Sequence, residues 1–393
     1  MPAGLPITAR SAVNALGRTT AEVLAALDAG RSGLAPLPGD LREALAAGDA
    51  PCGVIPGDLP ALPRGLEAFD TRAARIALLA LDEVAGPVAR AVRRWGAGRV
   101  AVLVGTSTSG IARTEAAYLG WRRTGALDPA FDFDRQHAFH ALLDLARAVT
   151  GVRGPGWVVS TACSSSAKVL GSAMRLVEQG LVDAALVGGV DSLCRTTLHG
   201  FGGLEVVSPR GCRPFAADRD GMSVGEGGAF LLLERAGDGP RLLAVGESQD
   251  AHHASAPHPE GLGARLAMTD ALTRAGLTPG DVDHVNAHGT GTRHNDAAEA
   301  RAIADLLGAQ VPVASTKAYT GHLLGAAGAT EAVFALASLE RGVVPASLGA
   351  TPLDPAVGIA VATTRLERRC RVVLSTSLGF GGSNAAVLLG EAA

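Results

Sequence analysis

The sequence predicts an α/β fold with an internal duplication, and three features carry that expectation. Short apolar runs dense in Val, Leu and Ala, such as 99–105, 181–189, 229–233 and 372–376, have the length of buried strands. They alternate with segments whose apolar residues recur at helical spacing. Several runs end directly in turns of Gly, Ser and Thr, at the strand ends where α/β sheets bind ligands. Finally, Val158-Val159-Ser160-Thr161-Ala162-Cys163 leads into a helix of small residues, and Val313-Ala314-Ser315-Thr316-Lys317 leads into a similar helix over 323–339. Two units built as strand, Ser-Thr, reactive residue and small-residue helix suggest two halves, 1–239 and 240–393. A pseudo-twofold between them would bring opposed strand ends to one central cleft.

The elements follow in order. Residues 1–30 read as a short strand or extended piece, then a helix over 20–29 that Thr19 caps. Residues 31–64, rich in Pro and Gly, read as surface loop. A strongly apolar helix spans 72–88, and the strand at 99–105 ends in the small-residue loop Thr106 to Gly110. Residues 111–155 read as helices and loops anchored by Phe131, Phe133, Phe139, Leu142 and Leu143. Trp157 to Val159 reads as a buried strand that hands over to a helix at 167–180. After the strand at 181–189, His199-Gly200-Phe201-Gly202-Gly203 reads as a flexible glycine-rich turn. Strands at 229–233 and 241–245 precede a loop, 249–261, that holds His252, His253 and His258. Their spacing fits no common metal-ligand pattern. A helix at 262–275, a strand at 282–286, and a charged amphipathic helix at 296–307 capped by Asn295 or Asp296 come next. The strand at 311–314, a helix opened by His322 and running to about 339, and strands at 372–376 and 385–389 complete the chain.

Composition narrows the function. With 47% hydrophobic residues among 393, a substantial core is available, and 51 glycines signal close backbone approaches and tight turns. Thirty-five Lys and Arg against 38 Asp and Glu leave a formal charge of −3, no mark of a nucleic-acid binder. None of Cys52, Cys163, Cys194, Cys212 and Cys370 forms a CxxC pair, so no metal site is expected, and the odd count argues against a closed disulfide framework. Neither a leader at 1–14 nor an apolar run of membrane-spanning length is apparent, and a cytoplasmic setting is the plain expectation.

Four residues in strand-end turns carry the chemistry. Cys163 falls where a strand gives way to a helix, a place whose free N–H groups and dipole favour a thiolate. His288 lies in a Gly- and Thr-rich turn directly after a strand. His322, at the expected entry to a helix, would stay neutral and donate one hydrogen bond to a carbonyl oxygen, and Lys317 adds positive charge nearby. A nucleophilic sulfur beside neutral imidazole donors suits acyl transfer through a thioester followed by stabilisation of an enolate.

Across most of its length and in the same order, the chain resembles the β-ketoacyl-acyl-carrier-protein synthases of the thiolase-like condensing enzymes. The matching segments are Thr161-Ala162-Cys163-Ser164-Ser165; Arg213-Pro214-Phe215 with Arg219-Asp220-Gly221 and Gly225-Glu226-Gly227; Ala287 to Thr292; Ser315-Thr316-Lys317 with Gly321-His322 and Gly325 to Gly328; and Gly379-Phe380-Gly381-Gly382 with Asn384. The resemblance implies a duplicated five-layer αβαβα fold and a dimer. It implies that Cys163 takes the acyl group from a carrier-protein thioester, and that its N–H with that of Phe380 forms an oxyanion hole. By the same resemblance His288 and His322 promote decarboxylation of a malonyl unit, Lys317 orders that pair, and Glu331 supports the lysine. Thr290 and Thr292 hold the phosphopantetheine arm, and Phe380 gates the cleft.

No cofactor of the protein's own is implied, since the substrates ride on the phosphopantetheine of acyl carrier protein. The sequence departs from common members at its N-terminus, which lacks a well-formed strand before the first turn, and at Arg293-His294-Asn295-Asp296. Those departures make a specialised pathway, such as aryl-polyene assembly, as plausible as fatty acid elongation. In such a pathway this chain would be the cysteine-bearing partner of a related chain-length subunit, the alternative being a homodimer. Two other readings stand beside this one. A thiolase-type coenzyme A acyltransferase would need a second cysteine near the C-terminus, and a non-catalytic partner subunit would lack Cys163.

Overall fold

The computed structural model describes residues 4–37, 39–44 and 48–392. Parts of the surface loop expected over 31–64, namely residue 38 and residues 45–47, lie outside the described residues, as do the ends of the two expected halves at 1–3 and 393. The chain opens with β1 (Leu5–Asn14), a ten-residue strand where the sequence suggested a poorly formed one. It then enters α1 (Thr20–Asp28), whose Thr19 side chain accepts from the Glu22 N–H. A two-stranded ribbon, β2 (Leu34–Pro36) with β3 (Pro51–Gly53), interrupts the expected loop.

The helix expected over 72–88 is longer, α2 (Arg72–Trp95), and runs through Gly86-Pro87. Proline costs a helix interior about 3 kcal/mol. Burial of Ile76, Ala80, Leu81, Val84, Val88 and Ala91 along one face offsets that cost. Next come β4 (Val100–Gly105), α3 (Ile111–Thr124), α4 (Phe133–Gln136) and α5 (His140–Thr150). Leu142 and Leu143 anchor this region as expected, but Phe133 is 57% exposed and Phe139 is exposed too. β5 (Gly156–Val159) precedes α6 (Ser165–Glu178), followed by β6 (Ala184–Asp191), α7 (Arg195–Gly203), β7 (Gly227–Glu234) and β8 (Arg241–Gln249). The expected glycine-rich turn at 199–203 is thus the second half of a helix.

α8 (Leu262–Ala275) has the bounds the periodicity gives. β9 (His284–Asn286), α9 (Arg293–Leu307), β10 (Val313–Ala314), α10 (Lys317–Thr320) and α11 (Ala327–Arg341) follow. Two positions differ from expectation. α9 begins after Thr292, so Asn295 and Asp296 lie inside it rather than capping it. His322 precedes α11 by a 3-10 turn, Leu324–Ala326, and does not open the helix. The ribbon β11 (Val343–Val344) with β12 (Leu366–Glu367), then β13 (Val372–Gly379) and β14 (Ser383–Gly390), complete the order.

The strands repeat themselves. One set runs β5-β4-β6-β7-β1 and the other β10-β9-β13-β14-β8. In each, the first three strands are parallel and the last two antiparallel. Among the described residues, the sets join where Leu5 and Pro6 of β1 pair with Leu242 and Arg241 of β8. Side chains alternate across both sheets. Val100, Val102 and Val104 of β4 pack with α2 and α5, while Ala101 and Leu103 pack with α6 and α11. Likewise Leu374 of β13 and Ala386 and Leu388 of β14 face α8 and α9, whereas Val373, Ala385, Val387 and Leu389 face inward. The layers are therefore α2/α5, sheet, α6/α11, sheet and α8/α9.

The small-residue helices α6 and α11 form the shared middle layer, which explains their composition. Gly328 of α11 lies so close to Ala167 of α6 that an added Cβ would meet its backbone N at 2.8 Å. At the outer edge of one sheet β5 is only half covered, and Trp157 is 37% exposed, so the strand read as buried is an edge strand.

Candidate active site

Each candidate residue follows the C-terminal end of a strand: Cys163 after β5, His288 after β9, Lys317 after β10 and Phe380 after β13. At Cys163 the chain turns sharply through Ala162, a non-glycine residue at φ +52. Left-handed backbone here costs on the order of 1–3 kcal/mol. The serines that follow hold the turn. Ser164 Oγ donates to the Thr161 carbonyl (2.8 Å), and Ser165 Oγ accepts from the Thr161 N–H (2.9 Å).

Cys163 ends up 6% exposed with its Sγ 2.9 Å from His322 Nε2. The His288 and His322 rings meet edge to face at 5.2 Å. One nitrogen from each ring and the sulfur lie within 4.8 Å of one another, the only group among the described residues close enough to share a metal ion. His252, His253 and His258 take no part in it. They sit on the loop after β8, where the His252 and His258 rings lie 5.0 Å apart.

Electrostatics reverse one expectation. Burial pushes the Cys163 thiol up to about 11, and the Lys317 charge and the Phe380 N–H pull it back only in part. A helix terminus does not overcome the loss of solvent, so at neutral pH the resting sulfur is a thiol. Burial first, then Lys317, drives both histidines well below the usual imidazole range; His322 adds to the effect on His288. Two neutral rings thus face a thiol, with His322 Nε2 against the sulfur. The neutrality expected of His322 is present, but its cause is desolvation, not a helix N-terminus.

Lys317 is 1% exposed and places Nζ 2.5 Å from Glu331 Oε1. Burial pushes the Glu331 carboxyl up, to about 7, despite that ammonium. Removing one member of a buried pair leaves the other charge uncompensated. Glu331→Ala is expected to lose about 3–5 kcal/mol of stability, read by urea denaturation. A midpoint equal to the parent's would show that the pair is solvated.

Sequence reasoning missed two acids. Glu299, fully buried on α9, accepts from the backbone N–H groups of His288 (2.8 Å) and Gly289 (2.8 Å) and from Thr376 Oγ1 (2.6 Å). Asp296, one turn earlier, accepts from the N–H groups of Phe215 (2.8 Å) and Gly291 (3.2 Å); burial pushes its carboxyl up to about 6. Together they clamp the turn that carries His288. The available signal was positional: acids at 296 and 299 share the helix face of Ala300 and Ile303, which is the core side. Gly291, at φ +76, is required there, since a Cβ would lie 2.8 Å from the Gly221 carbonyl oxygen.

The cleft above Cys163 is a cavity of about 250 Å³. Cys163, His288 and His322 line it with Thr290 and Thr292, whose hydroxyls are 2.9 Å apart, and with Phe201 and Phe380. The Phe380 ring meets that of Phe201 edge to face at 5.8 Å, and its backbone N–H is among the groups that lower the Cys163 thiol. Gly381 and Gly382, at φ +79 and +78, follow it. Both are tied to the loop after β8: the Gly381 N–H donates to the Ala254 carbonyl (2.7 Å), and Gly382 accepts from the Asp250 N–H (2.8 Å).

A duplicated five-layer fold with cysteine and two histidines at opposed strand ends defines the thiolase-like condensing class. Residues 145–238 match the family description "Beta-ketoacyl synthase, N-terminal domain" and residues 241–351 match "Beta-ketoacyl synthase, C-terminal domain". The chain belongs to the β-ketoacyl synthase family. It is 38% identical over 261 residues to the mitochondrial 3-oxoacyl-[acyl-carrier-protein] synthase of Arabidopsis thaliana, covering 61% of this chain and 57% of that protein. It is also 38% identical over 259 residues to 3-oxoacyl-[acyl-carrier-protein] synthase 2 of Rhizobium meliloti, covering 61% of each. The aligned stretch therefore spans about three fifths of these curated relatives.

Solved structures extend the likeness. A ketosynthase in complex with its chain length factor from Xenorhabdus doucetiae superposes with a TM-score of 0.91 at 37% identity, covering 99% of this chain and 98% of that one. A β-ketoacyl synthase from Burkholderia phymatum gives 0.87 at 28% identity, covering all of both chains. The ishigamide ketosynthase/chain length factor gives 0.87 at 28%, covering 99% of each.

Proposed function

We propose that this chain is the catalytic subunit of a β-ketoacyl-acyl-carrier-protein synthase that performs decarboxylative Claisen condensation. The single observation that carries this reading is the Cys163 sulfur 2.9 Å from His322 Nε2, with His288 completing a buried, neutral pair of imidazoles. The thiol attacks the acyl-carrier thioester and its proton passes to His322. That proton then leaves with the departing pantetheine thiol, so the products are acyl-Cys163 and free carrier. Malonyl-carrier enters along Thr290 and Thr292. Its C–C bond breaks and carbon dioxide departs, and the enolate oxygen takes N–H donors from His288 and from His322, whose single proton has moved to Nε2 by exchange with solvent. The carbanion attacks the acyl-Cys163 carbonyl. The N–H groups of Cys163 and Phe380 hold the resulting oxyanion; its collapse expels the Cys163 thiolate, which takes a proton from solvent to restore the thiol, and releases β-ketoacyl-carrier.

Lys317, held in place by Glu331, supplies the positive charge behind the pair. No cofactor of the protein's own enters these steps. The thiolase-type alternative loses support because Cys370 is fully buried and precedes β13, at the opposite end of the strand from Phe380. The presence of Cys163 in contact with His322 argues against a non-catalytic subunit.

Acyl carrier protein is the proposed donor, and a related ketosynthase-like chain-length subunit is the proposed partner, with a homodimer as the alternative. Two of the solved relatives pair a ketosynthase with a chain length factor, which favours polyene or polyketide elongation over fatty acid elongation. No described helix is long and apolar enough to cross a membrane; a cytoplasmic location is part of the proposal. The test is intact-protein mass spectrometry with a panel of acyl-carrier thioesters and malonyl-carrier, alone and with a candidate chain-length subunit. Acylation of the Cys163 peptide with release of carbon dioxide is expected. Loading confined to Cys194 or Cys212 would refute the reading.

Phe380 is read as the gate between the two half-reactions. While Cys163 is empty its ring closes the malonyl side, and an acyl chain displaces it, which gives ping-pong kinetics. Because Gly381 and Gly382 are tied down, the swing is confined to Gly379 and Phe380. Phe380→Ala is expected to raise decarboxylation of malonyl-carrier without primer relative to condensation, measured in parallel. An unchanged ratio in the folded variant would leave the ring a fixed wall.

A further inference from the structure

α7 has little reason to be a helix. Three of its nine residues are Gly200, Gly202 and Gly203, each about 1 kcal/mol worse than alanine in a helix, and Thr196 and Thr197 are β-branched. Its N-cap residue, Cys194, bonds the Thr197 hydroxyl (3.2 Å) but offers no side-chain hydrogen bond to a backbone N–H of the first turn. The cap comes from another helix. Glu115 of α3 accepts from the backbone N–H groups of Arg195 (2.9 Å) and Thr196 (2.6 Å) and from Thr196 Oγ1 (2.6 Å). A carboxylate at this end also meets the positive pole of the helix. Leu198 is fully buried, and two turns along from the cap Phe201 meets the Phe380 ring. One side chain therefore connects α3 to the wall against which Phe380 rests.

We propose that Glu115 is a positioning residue for the reaction: by capping α7 it holds Phe201 in place, and Phe201 in turn holds Phe380 closed over an empty Cys163. The proposal rests on the gate reading above, and the test separates the two. The parent protein and the Glu115→Ala, Glu115→Gln, Phe201→Ala and Phe380→Ala variants are each given malonyl-carrier with and without an acyl primer. The ratio of unprimed carbon dioxide release to condensation product is then measured. Glu115→Ala is expected to raise that ratio roughly fivefold, the order of effect of one lost helix cap. Glu115→Gln, which keeps one acceptor oxygen, should fall between it and the parent. In a Phe201→Ala background, Glu115→Ala should add nothing further, because the wall it positions is gone.

A parent-like ratio in Glu115→Ala, beside a raised one in Phe380→Ala, overturns this proposal and leaves the gate intact. A lowered melting temperature with an unchanged ratio does the same, since it marks a purely structural cap. An unchanged ratio in Phe380→Ala overturns both. Should Glu115→Ala fail to fold, Glu115→Gln decides alone, and a parent-like ratio there is fatal to the proposal.

Discussion

Cys163→Ala is expected to abolish covalent acyl loading from the carrier, and with it all condensation. None of the other four cysteines is expected to substitute. All are buried, and burial pushes Cys52 and Cys212 up to about 12 and Cys194 and Cys370 to about 11. Cys163 is itself raised to about 11, so burial alone does not set it apart. Its distinction is an imidazole nitrogen 2.9 Å from the sulfur and an opening onto the cleft.

A pH dependence follows from the same shift. The thiol form predominates below the raised value and the thiolate above it, so alkylation of Cys163 by a neutral reagent should keep rising through pH 9 toward 11. His322→Ala should lower the alkylation rate at neutral pH, because the proton acceptor is gone. The measurement is the pseudo-first-order rate of iodoacetamide labelling by mass spectrometry. A plateau near pH 7 would instead mean a thiolate already stabilised in the resting state, and surviving acyl loading in Cys163→Ala would end the assignment.

Loss of either imidazole donor is the second large effect expected. His288→Ala and His322→Ala should each slow release of carbon dioxide from malonyl-carrier by about 10²–10³-fold, or ~2.7–4 kcal/mol, the cost of removing one oxyanion donor from a desolvated site. The two should differ in the first half-reaction. His322 touches the sulfur, whereas His288 does not enter until the enolate forms, so acyl transfer in His288→Ala should remain close to the parent. Single-turnover acylation and carbon dioxide release, measured separately, make the comparison. Parent-rate decarboxylation in either variant would remove that histidine from the mechanism.

Raising the pH does not impair these donors. Both rings are held well below the usual imidazole range, so they are already neutral at pH 7 and remain so above it. Acid is the damaging direction, and it acts only below that lowered range.

Much of this site is legible in one dimension because strand-end turns are local. Cys163, His288, Lys317 and Phe380 each follow an apolar run that pairs in a sheet, and the small-residue helices after Cys163 and Lys317 form the middle layer that composition foreshadows. Where the reading failed, a partner distant in sequence had intervened. The glycine-rich segment 199–203 ends a helix whose first turn is capped by Glu115, eighty residues earlier than Arg195. α2 continues through Pro87 because its apolar face is buried on β1 and β7. Phe133 and Phe139 are apolar by type, but the fold leaves them outside.

The sequence by itself determined the alternation of strands and helices, the repeat of the strand-to-helix unit and the candidates for the reactive residues, since each unit is a local pattern that can be read along the chain. Only the tertiary structure decided their state. It buried the Cys163 thiol and so raised it, lowered both histidines by desolvation beside Lys317, and brought Glu299 and Asp296 under the His288 turn. Desolvation and charge pairing depend on what surrounds a group in space, and here those surroundings come from both halves of the chain.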